Sequence, residues 1–175
     1  MKKIAVLGMA FLLAAGLVTG CGGKEDGNKG KDAPDVVTSA SVVDNNEAFV
    51  KAISKDGTWI AATLNDLTFD KELVVEGEFT NKDAIARKIA LYTQDADHNI
   101  TASFKLTAPK LIIKSENTRL QGGTFVGDVY VEANGFVVTK ATVEGNVYFA
   151  NDEYKASFDA SNEGKVTGVT EVKAQ

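Results

Sequence analysis

From Thr58 onward, apolar residues come in runs of three or four, separated by Gly, Asn, Asp and Lys. That pattern predicts short strands joined by turns. Two neighbouring runs are nearly the same. Residues 124–131 read TFVGDVYV and residues 142–149 read TVEGNVYF, an offset of 18 residues. The offset also relates Lys110-Leu111-Ile112-Ile113 to Asp128-Val129-Tyr130-Val131, and it runs from Leu120 to Val138 to Ala156. Leu73-Val74-Val75 is a similar triplet upstream. Between it and Leu111, Ile89 to Tyr92 fits as a further strand at looser spacings of 16 and 22 residues, which predicts loop changes in that coil. Hairpins do not need a fixed register, whereas stacked coils do. The expected fold is therefore all-β, a β-solenoid of 18-residue coils. About five coils at ~4.8 Å per strand give a rod of roughly 25 Å.

Within one coil, Gly127 and Gly145 are placed at a corner where glycine can take positive φ. Asp128 and Asn146 follow, expected to bond local backbone. Alternation then turns Val129, Val131, Val147 and Phe149 inward and Tyr130 and Tyr148 outward. Leu111 and Ile113 would stack below the inward set, with Leu73 and Val75 lower still. The segment from Lys165 to Val172 matches the repeat poorly and is expected to close the stack or pair with its other end. Ile112, Tyr130 and Tyr148 form a candidate binding stripe that suits sugar rings or a partner surface. The competing reading is a stacking ladder covered by another segment, such as the C-terminal strand or a loop. It carries more weight, since large exposed apolar stripes are uncommon in monomers.

Ahead of the strands, residues 44–54 read DNNEAFVKAIS. Asp44 and Glu47 resemble a capping box. Ala48, Phe49, Ala52 and Ile53 make one apolar stripe, and Asp56-Gly57 supplies a stop. This predicts an amphipathic helix. The first coil of a solenoid needs a cap, and the helix is well placed to be that cap. Trp59, at the junction, is read as core.

The N-terminus has a different character. Lys2 and Lys3 precede an uncharged run, Ile4 to Val18, of 15 residues. That is shorter than the ~18 needed to span a bilayer and has the form of a secretory signal. VTGC, Val18 to Cys21, resembles a bacterial lipobox. The resemblance implies cleavage before Cys21 and a thioether-linked diacylglycerol on that cysteine. The alternative is a plain secretory signal with an incidental cysteine. Two or more acyl chains anchor stably. Residues 22–35, GGKEDGNKGKDAPD, lack large apolar side chains. They read as a flexible tether ending at Pro34, with a reach of about 20 Å. The expected organisation is residues 1–20 signal peptide, 21–35 lipidated cysteine and tether, 36–57 capping-helix region and 58–175 solenoid. The expected location is the cell membrane, lipid-anchored on its extracytoplasmic face.

On the repeat and the preceding helix, residues 44–172 resemble a right-handed parallel β-helix of the pectate-lyase-like type. Together with the lipobox, the chain is similar to small, functionally uncharacterised lipoproteins of Clostridia-like bacteria. The resemblance implies a fold and a location, and no catalytic motif comes with it.

Composition narrows the chemistry. Net charge is −5 and the chain has two arginines, Arg87 and Arg119, so no nucleic-acid footprint is expected. One cysteine allows no internal disulfide. One histidine, His98, excludes most zinc sites and is read as an exposed loop residue. Asp95, Asp97 and Asn99 start like a calcium loop, but Ile100 stands where Gly is wanted and Leu106 where a bidentate Glu is wanted. A hydrophilic turn is the better reading. The Thr124 and Thr142 pair is too short for an ice-binding array. No metal, cofactor or catalytic residue is expected. The expected role is a non-catalytic binding or structural module at the bacterial envelope. Its candidate partners are the membrane through lipid on Cys21, a cell-wall polymer or extracellular protein, and further copies through the solenoid end. The alternatives are a polysaccharide lyase or hydrolase on the same scaffold and, more weakly, a solute-capturing lipoprotein, for which a solid rod offers no cleft.

Overall fold

The computed structural model describes residues 40–173, so the signal segment, Cys21 and the tether lie outside the described residues. The chain order is β1 (Ala40–Val43), α1 (Asn46–Ile53), β2 (Ile60–Thr63), β3 (Leu67–Thr68), β4 (Leu73–Val75), β5 (Thr80–Asn81), β6 (Ala84–Ile85), β7 (Arg87–Ala90), β8 (Tyr92–Gln94), β9 (Ile100–Ser103), β10 (Lys105–Ile113), β11 (Thr118–Val131), β12 (Val137–Glu144), β13 (Val147–Phe149), α2 (Asp152–Ala156), β14 (Lys165–Val166) and β15 (Thr170–Val172). Eleven strands join one sheet, all of whose pairings are parallel, while β5–β6 and β8–β9 are antiparallel hairpins. The described part is all-β with two short helices, neither long and apolar enough to cross a membrane.

The sheet consists of three parallel ladders. The first runs β1–β2–β7–β11–β12 and stacks Ala61, Ile89, Leu120 and Val138. The second runs β3–β10–β11–β12–β14 and stacks Leu67, Leu106, Phe125, Val143 and Val166. The third runs β4–β10–β11–β13–β15 and stacks Leu73, Leu111, Val129 and Val147. Ten of these inward residues, from Ala61 to Val147, are completely buried, and they belong to one core cluster. At roughly 1.5–3 kcal/mol for each buried Val, Leu, Ile or Phe, these columns supply much of the driving force.

The repeat holds between β11 and the two strands after it, then changes twice. The last coil advances 23 residues, as between Asn146 and Val169, where the coil before it advances 18, as between Asp128 and Asn146. The five residues of α2 fill the difference. Ala156 therefore lies in α2 and not beneath Val138, and Val137 instead bridges Asp159. The other change is upstream. Leu73 pairs directly with Leu111, with no strand between them. Ile89 belongs to the first ladder, between Ala61 and Leu120, because the two hairpins take up the intervening chain. The Lys165 to Val172 segment extends the second and third ladders as β14 and β15 and does not return to the other end.

The corners explain the glycines. Gly127 has φ 136°, and a Cβ there would strike the carbonyl oxygen of Ala108. A Cβ on Gly145 would strike the carbonyl oxygen of Gly127, and Gly168 N donates to the Gly145 carbonyl at 3.0 Å. Each corner is thus closed by the backbone of the next. A register shift between Thr107 and Lys110 accommodates Pro109, which has no N–H to give to a ladder.

Helix α1 starts one residue later than the capping-box reading placed it. Asn45 is the N-cap, its Oδ1 accepting from Ala48 N at 2.9 Å, while Asp44 accepts from the Asn45 amide. Phe49, Ala52 and Ile53 are buried as the apolar stripe requires, and Phe49 packs on Phe69 at 5.8 Å. Strand β1 precedes the helix and pairs with β2, an element the sequence pattern did not reveal.

Candidate functional site

The three stripe residues are brought together. Val74, Ile112, Tyr130 and Tyr148 are successive outward partners in the third ladder, and Glu171 follows them. The two tyrosine rings stand 5.0 Å apart at 45°. Lysines cover the ring faces: Lys110 Nζ lies 4.6 Å from the Tyr130 centroid and Lys173 Nζ 4.4 Å from that of Tyr148. Such contacts are worth about 0.5–1 kcal/mol at exposed sites, and the lysine stems bury apolar surface beneath a solvated charge. Ile112 is 7 % and Tyr148 9 % exposed, and Tyr130 is half-buried. The stripe is therefore an aromatic ladder roofed by its own cationic neighbours. Lys110 also approaches Glu72 at 3.8 Å, and Lys114 approaches Glu132 at 4.0 Å.

Beside the ladder, the corner polar residues bond across coils and not to local backbone. Asp128 Oδ1 accepts from both Asn146 N and Asn146 Nδ2 at 2.9 Å, and Asn146 Oδ1 accepts from Val169 N at 2.9 Å.

The segment with a calcium-loop start is the tip of the β8–β9 hairpin. Asp95 Oδ1 accepts from Asp97 N at 3.0 Å and Asn99 N at 2.9 Å, and Oδ2 accepts from Asn99 Nδ2 at 3.1 Å. The Asn99 amides, backbone first, hold the Asp95 carboxyl below the usual carboxylate range. Among the described residues no three His, Cys, Asp or Glu side chains converge as a metal site.

This hairpin creates a feature the sequence did not announce. A cleft of about 640 Å³ lies between its tip and the body, lined by His98, Asn99 and Ile100 on one side and Lys140, Thr142, Glu163 and Lys165 among those on the other. The only hint was the long spacing from Ile89 to Leu111, which marked an insertion without its shape. Trp59, expected in the core, is half-buried and lines a smaller recess of about 370 Å³ with Lys88, Asn117 and Arg119.

Arg87 is the other surprise. It is 1 % exposed, inside a strand. Its Nη2 donates to the carbonyls of Ala52 at 2.8 Å and Ser54 at 3.2 Å, and its Cζ lies 4.1 Å from the Phe79 ring centroid. The guanidinium thereby closes the C-terminal end of α1, where positive charge meets the helix dipole. Nε and Nη1 have no partner, and burial pushes the group down to about 10.

No family model, curated protein or solved structure matches this chain. The fold defines an all-β protein of stacked parallel strands, and that fold alone assigns no activity.

Proposed function

We propose that the chain is a lipid-anchored module of the bacterial envelope, tethered through Cys21 on the extracytoplasmic face. Its body is a right-handed parallel β-helix of the kind seen in small bacterial lipoproteins, and it binds without catalysis. The observation that carries this reading is the continuous outward ladder of Ile112, Tyr130 and Tyr148 with Lys110 and Lys173 over the rings. It presents Lys110 and Lys173 over a largely buried aromatic ladder in which Tyr130 stays half-exposed, a strip suited to an anionic cell-wall polymer lying along the stack. The nearby acid, Asp128, is committed to Asn146, which supports a structural role for it. The alternative, a polysaccharide lyase or hydrolase, needs cooperating carboxylates or an acid–base set, and Glu163 is the one carboxylate lining the hairpin cleft.

The test is a pulldown of isolated cell wall and envelope proteins with the full chain, set beside the Tyr130→Ser, Tyr148→Ser double variant. Loss of bound wall polymer in the double variant is expected. Equal capture by both proteins removes the ladder from the account. Product release from a panel of uronate-containing and neutral glycans would favour the enzyme.

A further inference from the structure

Three residues lining the hairpin cleft share a backbone anomaly. His98, Lys140 and Glu163 have φ of 66°, 47° and 55°, in the left-handed region. Long side chains such as Lys and Glu are disfavoured there, because Cβ crowds the following carbonyl, whereas Gly, Asn, Asp and His are found there more often. Two of these residues occupy one recurring corner. Lys140 stands opposite Gly122, which has φ 69°, since the residues on either side of it pair with those flanking Gly122. Lys140 N donates to Asn162 O at 2.8 Å, so Glu163 follows in the next coil. The β11 coil thus uses glycine at this corner, and the two coils after it use long charged side chains. His98 sits at the end of the hairpin turn, its N–H donating to Asp95 O at 3.1 Å, where glycine is the favoured occupant. Lys140 and Glu163 carry this departure in adjacent coils of one cleft, whereas Lys82 carries it in the β5–β6 turn, and backbone outliers of this kind gather at functional sites.

The lining has a readable chemistry. Lys140 and Lys165 bring two ammonium groups, and the shortest ion pairs of the described residues involve neither. Asn99 and Thr142 add neutral polar groups, Glu163 adds one acceptor, and Ile100, 39 % exposed, adds an apolar wall. Two cations favour an oxyanion, the carboxylate accepts from hydroxyl groups, and the isoleucine packs against a ring face. The cleft is open to solvent, so a ligand lies across it with one face exposed.

We propose that this cleft binds an acidic sugar, its carboxylate or phosphate held by Lys140 and Lys165 and its hydroxyls by Glu163 and Asn99. The site lies on the corner beneath the β8–β9 hairpin and does not depend on the tyrosine ladder.

The test titrates the full chain with a galacturonate oligomer, glucose 6-phosphate and a neutral cello-oligosaccharide, followed by calorimetry and amide chemical shifts. Saturable binding of either acidic probe, with shifts at His98, Lys140 and Lys165, supports the proposal, and the probe that binds tells carboxylate from phosphate. Lys140→Gly is the decisive variant because glycine is at home in that backbone. It should melt at or above the wild-type temperature while binding about tenfold more weakly, and Lys165→Gln should weaken binding similarly. Raising the salt should weaken it further. Absence of saturable binding by both acidic probes, equal binding of the neutral one, or unchanged affinity in Lys140→Gly overturns the proposal. The shift changes should map to the cleft and spare Tyr130 and Tyr148, so the cleft and the ladder fail or succeed separately.

Discussion

Asp128 Oδ1 accepts two hydrogen bonds from Asn146, one from its backbone N–H and one from its side-chain amide, both at 2.9 Å. One carboxylate oxygen thereby fixes the register of two successive coils. Asp128→Ala leaves both donors without this acceptor and should cost about 1–2 kcal/mol in chemical denaturation. Asp128→Asn keeps an oxygen in place and should cost less. Equal losses for the two would show that the oxygen does not matter.

Arg87 separates charge from volume. Arg87→Ala removes the donor to Ala52 and Ser54 and opens a cavity beside Phe79, so a loss of about 3 kcal/mol is expected. Arg87→Met restores most of the volume and removes a buried cation with two unpartnered nitrogens, so its loss should be about 1 kcal/mol or less. Denaturant midpoints for the pair give the answer.

Asn45 caps α1 through Ala48 N. Asn45→Ala should cost about 1 kcal/mol, whereas Asp44→Ala should change little because Asp44 makes no bond to the helix N–H groups. A larger loss from Asp44→Ala would return the cap to the position first read from the sequence.

Acidification should loosen the β8–β9 tip before the core. The Asp95 carboxyl titrates below its ordinary 3.8 because the folded turn donates to it. The support it gives is complete above 3.8 and is lost as pH falls through the lower, folded value. The Asp97 and Asn99 amides should then lose protection relative to their intrinsic exchange rate at the same pH, while Val129 and Val147 remain protected. Unchanged protection of the tip at low pH would contradict this. In Asp95→Ala the loss of protection should already be present at neutral pH.

The third ladder was legible because stacked coils demand repetition. Leu111, Val129 and Val147 must be apolar at one spacing, and Gly127 and Gly145 must lack a Cβ at one corner. Legibility ended where the chain leaves the stack. Helix α2 buries no residue, so no apolar stripe announced it. Strand β9 is exposed along its whole length, which erased the alternation that marks a half-buried strand. The tyrosine ladder was found by its repeat, but its lysine roof was not, since Lys173 reaches Tyr148 from just beyond the end of β15. The hairpin cleft joins residues more than forty positions apart. Arg87 entered the sequence reading only as one of two arginines, because nothing near it in the sequence reports the carbonyls of Ala52 and Ser54 that receive it.

The column of glycine corners makes the coil a transferable unit. Each corner needs only a carbonyl on one side and a missing Cβ on the other, and Gly127 and Gly145 meet that condition in the same way. A duplicated coil inserted between them would find both neighbours already fitted to it. The length of the stack is therefore free to change by whole coils without redesign of either end, and the tyrosine ladder would lengthen in step.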